Sequence, residues 1–379
     1  MKNIDLIAYK IEAYDSDDFL KTLSANNLTY IVFLFNPASG YRIVSNVVST
    51  SKKRTILLTG GITRQFHWII YAILYPVTFI VDYFVLAFKI NKFIKKFSPR
   101  NGFVDNTFTA FHFAYLRKKS KIDNLVYASH DWFQIDKESF NISNFLKSCF
   151  SYLFLKFDYF VCQNADIVLN HTKIVKENRS NYWNKNIIKG KEYFYKPPLS
   201  PIFDRSQNKP KIKNKIVFLG WATKSSGLNE ILNAINQSEY QLYAIGKENE
   251  TIKHILGLSN FKNFNHLGFL ERSKFDNIFN ESIAGINLIT SKNVHTVHTI
   301  PSKIIDYLRY GVPIICTNNI GPFAEVILKY KLGVIISPTK HEIIEAIENI
   351  SLNQEDYSKN ISFFFKDFPF SNLLEYFKV

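Results

Sequence analysis

Residues 298–318 read HTIPSKIIDYLRYGVPIICTN. Pro301, Lys303 and Asp306 open a short helical stretch there, and Gly311 closes it ahead of an apolar run. Proline suits the first helical turn, where its missing N–H would have no partner. Glycine suits the position just past the last turn. The spacing predicts a helix over 301–310 with Lys303 and Asp306 on one face. Its N-terminus would offer unpaired N–H groups and the positive end of the helix dipole, which favour phosphate. Lys303 adds a cation, and Asp306 adds a carboxylate able to accept hydrogen bonds from a diol such as ribose. Together these features describe a site for a nucleoside diphosphate. The plain alternative is a surface Lys–Asp pair, worth about a few tenths of a kcal/mol.

A second candidate lies in NLVYASHDWFQID, where an apolar run ends in His130 and Asp131. Ligands of parallel sheets bind beyond the carboxyl ends of the strands. Asp131 is therefore a candidate general base, with His130 a candidate ligand contact. A helix N-cap aspartate beside a packed histidine is the competing reading. Asp15-Ser16-Asp17 spells DxD but reads better as the cap before DFLKTL, and no other cluster has metal spacing. TGGITRQ (59–65), with Gly60 and Gly61, reads as a plain turn, with a glycine loop at the ligand side of the sheet as the alternative. Cys149, Cys162 and Cys316 form no CxxC pair, so neither a zinc site nor a disulfide framework is expected.

The elements that must hold these residues are clearest in the second half. Apolar runs at 215–220, 240–246, 265–270, 284–289, 312–317 and 332–337 alternate with amphipathic stretches. GLNEILNAINQ is one of these, with Leu228, Ile231, Leu232 and Ile235 on one face. Apolar strands alternating with helices predict a parallel sheet covered on both faces. The first half is less regular. Strands are expected at 4–9, 29–35, 55–59, 124–128 and 165–170, with a weaker one at 158–162, in what could be a second Rossmann-like domain. KPPLSPIFDRSQNKPKIKNK holds four prolines and many lysines and reads as a linker. The expected division is 1–195, a linker at 196–214, and 215–379, the last helix being a candidate to cross back to the first domain.

The chain of 379 residues carries a net charge of +15 with 35 Phe and 21 Tyr. Such a charge suits nucleic acid, anionic lipid or a phosphorylated substrate. Nucleic acid is not expected, since no helix-turn-helix, zinc finger or RNP-like motif is present. FHWIIYAILYPVTFIVDYFVLAFKI (66–90) has only Asp82 and Lys89 as formal charges. Pro76 and Asp82 count against a clean transmembrane span. A peripheral membrane surface is the favoured reading, with a buried core helix as the alternative. Lys89, Lys92, Lys95, Lys96 and Arg100 follow at once, and Arg117, Lys118, Lys119 and Lys121 come later. Aromatic segments followed by basic clusters suit anionic lipid, at roughly 1 kcal/mol per basic residue near the surface. The start, MKNIDLIAYK, has no secretory h-region, so a cytoplasmic protein, peripheral on the inner face of the membrane, is expected.

The 301–325 stretch resembles the donor-binding region of GT-B glycosyltransferases. The pattern is Pro301, Lys303, Asp306, Gly311, Val312 and Pro313, then Gly321 and Glu325 in GPFAEVI. KIVFLGWATKSSGLNEILNAI looks like that family's first C-domain strand, with its glycine loop at Gly220. NHLGFLERS looks like the strand whose end, at Gly268 and Leu270, cradles the base. ADIVLNHTKIVKENRSNYW resembles the segment that closes the N-terminal domain. The resemblance implies an α/β, GT-B architecture: two Rossmann-like domains facing across a cleft. It implies a nucleotide-sugar donor held by Lys303, Asp306, Ser302, Pro301, His298, Gly220, Lys224, Gly268, Leu270 and Glu325. It also implies Asp131 as base, His130 as donor contact, no bound metal and no cofactor beyond the donor. A lipid-linked or oligosaccharide acceptor, as in bacterial surface-polysaccharide assembly, suits the apolar and basic segments. Many relatives carry two Glu eight apart where this chain has His298 and Asp306, and an Arg and a Lys where it has Trp221 and Ser226. These departures mark a divergent subfamily. They keep open a non-catalytic nucleotide-sugar-binding protein, and less so an epimerase of the same fold.

Overall fold

The computed structural model describes residues 4–11, 16–36, 40–45, 86–129, 142–194, 202, 214–220, 222–223, 225–236, 238–257, 261–270, 274–290, 302–321 and 323–367. These fall into two compact units that divide near residue 198. The expected strand at 55–59, the glycine turn at 59–65, most of the apolar 66–90 segment and nearly all of the linker lie outside the described residues.

The first unit is built on seven strands: β1 (Leu6–Ile11), β2 (Tyr30–Asn36), β3 (Gly40–Ser45), β4 (Asn101–Val104), β5 (Asn124–Ser129), β6 (Ile167–Asn170) and β7 (Lys191–Phe194). Their order is β3-β2-β1-β4-β5-β6-β7, parallel except for β3 against β2. Alternate strand residues supply two separate cores. Ile7, Tyr9, Ile31, Phe33, Leu125, Tyr127 and Val168 face one side, and Leu6, Ala8, Tyr30, Val32, Val126, Ala128, Ile167 and Leu169 face the other. A sheet buried on both faces needs continuous apolar strands, which is what these segments are. The helices are α1 (Ser16–Ala25), α2 (86–97), α3 (Thr107–Lys118), α4 (Ile142–Asn164) and α5 (Lys173–Trp183). Asn106 and Thr172 cap α3 and α5 by accepting from the Thr109 and Val175 N–H groups.

One expectation fails here. Residues 158–162, DYFVC, were expected as a strand but lie in α4. Their apolar run is short, and periodicity over five residues does not separate a buried helix from a strand. The unit also contains β3, β4 and β7, which the apolar-run pattern did not signal.

The second unit repeats the plan with β8 (Lys215–Leu219), β9 (Gln241–Ile245), β10 (Phe264–His266), β11 (Ala284–Asn287), β12 (Ile314–Cys316) and β13 (Gly333–Ile335). The order is β10-β9-β8-β11-β12-β13, with every pair parallel. All six expected strands are present, though the third stops at His266 rather than running to 270. The intervening helices are α6 (Leu228–Ile235), α7 (Glu250–Gly257), α8 (Phe275–Glu281), α9 (Ser302–Arg309), α10 (Phe323–Tyr330), α11 (Lys340–Leu352) and α12 (Gln354–Asp367). The last of these stays with the second unit, and residues 368–379 lie outside the described ones. Both sheets thus place their first strand at the centre, so each reverses direction next to it, at β1/β4 and at β8/β11.

Candidate functional site

The crevice outside the carboxyl ends of the strands at such a reversal is where open α/β sheets bind ligands. In the second unit β8 and β11 pair only through Ile216–Ala284 and Val217–Gly285. Beyond that point the strands separate, and the Tyr307 hydroxyl of α9 takes the place of the missing ladder. It accepts from the Leu219 N–H at 2.8 Å and donates to the Ile286 carbonyl at 3.3 Å. Its ring lies flat against Gly285, where an added Cβ would come within 2.4 Å of Cγ. Burial pushes the Tyr307 hydroxyl well above its ordinary pKa, so it remains a protonated bridge.

One turn before Tyr307, Lys303 reaches the end of β8. Its Nζ lies over the Phe218 ring, 5.1 Å from the centroid. Its stem crosses Gly220, where an added Cβ would stand 2.5 Å from Cε. Gly220 has φ +101°, so both its backbone and this close approach require glycine. Burial lowers the Lys303 pKa from 10.5 to about 8, because no carboxylate among the described residues offsets the loss of water. Lys303 and Asp306 form no ion pair, and Asp306 is only 5% exposed. The surface-pair alternative is therefore excluded.

Helix α9 itself follows the sequence closely, spanning Ser302–Arg309 against an expected 301–310. Gly311 (φ +66°) closes it in a Schellman arrangement. The Val312 N–H bonds the Tyr307 carbonyl at 2.9 Å and the Gly311 N–H bonds that of Leu308 at 2.8 Å. Tyr310, stacked on Phe279, donates its hydroxyl to Asp276 Oδ1 at 3.0 Å, which fixes the helix against α8.

Three glycines step across the strand ends beside Lys303. The Gly220 N–H bonds the Ile245 carbonyl at 2.7 Å, and the Gly246 N–H bonds the Gly268 carbonyl at 2.9 Å. An added Cβ on Gly246 would strike the Gly220 carbonyl oxygen at 2.2 Å. Gly268 (φ +69°) has open space where a Cβ would stand. Leu270 is half-buried, and Phe269 between them is 69% exposed. Across the ledge Ser226 is buried. Its hydroxyl accepts from the Thr223 N–H and donates to the Thr223 carbonyl at 2.7 Å, so it closes its own loop. Ser302 and Glu325 are exposed at or near the starts of α9 and α10. Pro301, His298, Lys224 and Trp221 lie outside the described residues.

In the first unit His130 and Asp131 also lie outside the described residues, but the strand that leads to them is firmly held. Ser129, the last residue of β5, accepts from the Arg179 guanidinium at 2.6 Å. Arg179, 1% exposed, also pairs with Asp158 and donates to Asn170, the last residue of β6. Tyr127 donates to Asp158 at 3.0 Å and meets Thr107 Oγ1 at 2.7 Å. This network ties the carboxyl ends of two strands to α3, α4 and α5. Sequence reading missed it because its members are scattered from 107 to 179. It also missed Asp105, a buried carboxylate that directly follows β4 at this unit's reversal point. Of the basic residues expected at a membrane, Arg117 is engaged in a bidentate pair with Asp166, at 2.6 and 2.8 Å. Lys118 and Lys119 remain exposed with no carboxylate partner among the described residues, and Lys92, Lys95 and Lys96 lie on α2. Among the described residues no cluster of His, Cys, Asp and Glu could hold a metal, and no helix is long and apolar enough to cross a membrane.

Comparison with solved structures identifies the architecture. Over 96% of this chain and 94% of the other, the structure is similar to sucrose-phosphate synthase from Thermosynechococcus elongatus, with TM-score 0.61 and 14% identity. It is similar to a UDP-forming α,α-trehalose-phosphate synthase from Burkholderia vietnamiensis over 96% of each chain, with TM-score 0.59 and 11% identity. It is also similar to Anabaena HepE, solved in complex with UDP, over 98% of this chain and 96% of that one, with TM-score 0.54 and 11% identity. The fold is GT-B. Residues 200–362 match the family model described as glycosyl transferases group 1. No curated protein sequence matches the chain. In this GT-B chain the matched region takes in the whole β8–β13 sheet and α9, so the reversal point, Gly220 and Lys303 all lie inside it.

Proposed function

We propose that the protein is a glycosyltransferase that moves a sugar from a nucleoside-diphosphate-sugar donor to a lipid-linked or oligosaccharide acceptor, at the cytoplasmic face of a membrane. One observation carries the reading: a half-buried ammonium without a carboxylate partner among the described residues, held over Gly220 where β8 and β11 separate, in a region that matches a glycosyltransferase family. An isolated cation out of water is costly, and a bound anion removes that cost. The departing nucleoside diphosphate is such an anion, and its charge grows as the glycosidic bond breaks. Stabilising that charge at a preorganised cation is where catalysis gains most.

In the proposed reaction the acceptor hydroxyl oxygen attacks the anomeric carbon of the donor. The bond from that carbon to the diphosphate oxygen breaks, and the electron pair leaves with the diphosphate. Lys303 balances that charge, and Asp306 accepts from the ribose hydroxyls. Asp131 takes the acceptor proton, with His130 contacting the donor. The step draws on no metal or further cofactor. Ser302, Pro301, His298, Lys224 and Glu325 complete the donor site, with Gly268 and Leu270 against the base. UDP in the HepE structure makes uridine the first base to test. Work in surface-polysaccharide assembly is consistent with the basic, aromatic first unit.

A thermal-shift screen of nucleoside diphosphates and their sugars tests this, run on the wild type, Lys303→Ala and Asp306→Asn. One nucleotide is expected to raise the melting temperature of the wild type alone. Release of that nucleoside diphosphate from its sugar, measured with acceptor present, separates an enzyme from a binding protein. Stabilisation by no nucleotide, or equal stabilisation of Lys303→Ala, refutes the assignment.

A further inference from the structure

Helices α3, α4 and α5 of the first unit leave an unusual surface. On α4, Tyr152, Lys156, Tyr159 and Phe160 recur at helical spacing and so form one stripe. Tyr152 and Leu153 are 53% and 45% exposed, and Tyr115 on α3 is 48% exposed. Stacked Phe111 and Phe157, with centroids 4.2 Å apart, hold α3 against α4 from beneath. Trp183, at the end of α5, lies 4.7 Å from the Tyr159 ring and 5.0 Å from the exposed Tyr182 ring. The stripe therefore continues across all three helices.

Lysines are interleaved with these rings. Lys156 Nζ stands over both Tyr152 and Trp183, at 5.3 and 5.4 Å. Lys118 stands over Phe160 at 5.8 Å, Lys119 over Tyr115 at 5.8 Å and Lys185 over Tyr159 at 5.9 Å. All four lysines are exposed, so ammonium groups that stand over the rings also reach solvent, as in side chains that snorkel. None of these four lysines has a carboxylate partner among the described residues. Of the acids on or next to these helices, Asp158 is paired with Arg179, Glu177 with Lys173, and Asp166, just after α4, with Arg117. Among the described residues the face is thus apolar, aromatic and positive.

We propose that this face docks on an anionic lipid bilayer, with Tyr115, Tyr152, Leu153 and Tyr182 entering the interface and Lys118, Lys119, Lys156 and Lys185 meeting the headgroups. The inference deepens the membrane association proposed above and rests on it; it places the contact on helices α3, α4 and α5. Charge complementarity selects the partner, since an anionic surface supplies the carboxylate or phosphate groups that the face lacks. Aromatic side chains with a polar tip favour the headgroup level, where one end is wet and the other apolar. A single-stranded nucleic acid would need uncovered ring faces for stacking, and the four ammonium groups already stand over Tyr115, Tyr152, Tyr159, Phe160 and Trp183.

Co-sedimentation with vesicles of phosphatidylcholine, with and without phosphatidylglycerol, provides the test. The full chain is expected to bind the phosphatidylglycerol vesicles in a salt-dependent way and to ignore pure phosphatidylcholine. Reversing Lys118, Lys119 and Lys156 to Glu is expected to abolish binding, at about fivefold or more per residue. Lys156→Glu alone, at an exposed position, covers the case in which the triple variant does not fold. A control with Lys340→Glu and Lys366→Glu, exposed in the second unit, should bind as the wild type does. Tyr152→Ser should weaken binding and leave the remainder more sensitive to salt. If the wild type binds no vesicle, both the docking face and the membrane reading fall. If it binds and the α4 variants bind equally well, only the docking face falls. Salt-dependent retention on DNA with none on vesicles also overturns it.

Discussion

Replacing Lys303 by Met should make the protein more stable and worse at binding its ligand. The ammonium has a pKa lowered from 10.5 to about 8 by burial. At about 1.4 kcal/mol per pH unit the full difference is about 3 kcal/mol. Lys303 is half-buried, so solvent screening brings the cost at neutral pH to about 1–2 kcal/mol. Methionine keeps the unbranched stem over Phe218 and across Gly220 while removing the charge. Urea denaturation at pH 7 should therefore show a gain of about 1–2 kcal/mol without ligand, discounted from that charge cost. A charge-assisted contact to the diphosphate contributes about 1.5–3 kcal/mol, so the dissociation constant should rise roughly 10- to 150-fold. Calorimetric titration with the nucleotide found by the thermal screen measures this. The two changes have opposite signs, which a general packing defect would not produce. Loss of stability in Lys303→Met would mean that the ammonium has a partner in the free protein, and unchanged affinity would mean that the anion does not sit there. Either result refutes the reasoning.

The same lysine sets a pH dependence. Above pH 8 the free protein releases the Lys303 proton while the complex retains it, so affinity should fall about tenfold between pH 7 and pH 9, with proton uptake on binding. Without ligand the sign reverses: from about pH 8 to 10.5 the unfolded chain holds a proton that the native state has released, so this group's contribution to stability rises with pH. Gly220→Ala should push the Lys303 stem aside and strain a positive-φ position; a drop in nucleotide affinity larger than the drop in melting temperature explains would show it. Tyr307→Phe leaves the Leu219 N–H unpaired where β8 and β11 part, a loss of about 1–3 kcal/mol by denaturant titration. Arg179→Met leaves the Asp158 carboxylate buried without its cation and should cost about 3–5 kcal/mol, whereas adding Asp158→Leu should recover much of it.

What the sequence revealed and what it concealed separate along one physical line. The centre of the β8–β13 sheet was legible because strands covered on both faces must be largely apolar, as the buried β8, β11 and β12 are, whereas half-buried β10 carries Asn265 and His266 and its end was misplaced. The start and end of α9 were legible because Pro and Gly constrain single backbone positions, and Gly311 indeed closes the helix. The charged pair was legible as chemistry but not as geometry: spacing put Lys303 and Asp306 on one face, yet nothing local says that one stem crosses Gly220 or that no ion pair forms. DYFVC at 158–162 misled because five residues wrap more than a full turn of a long helix: Asp158 and Cys162 lie on its buried side with Arg179 and Tyr127, while Tyr159 and Phe160 lie on its outer stripe. The Arg179 network could not be read at all, since each polar residue in it is ordinary alone and becomes costly only when desolvated beside the others. Tyr307 belongs with it: a tyrosine on an amphipathic helix looks like core, and only the separation of β8 from β11 turns its hydroxyl into the bridge that holds the reversal point open. Local pattern therefore reports the scaffold of this fold, while the features that would make it bind an anion, a splayed strand pair and a cation without a counterion among the described residues, come from long-range packing.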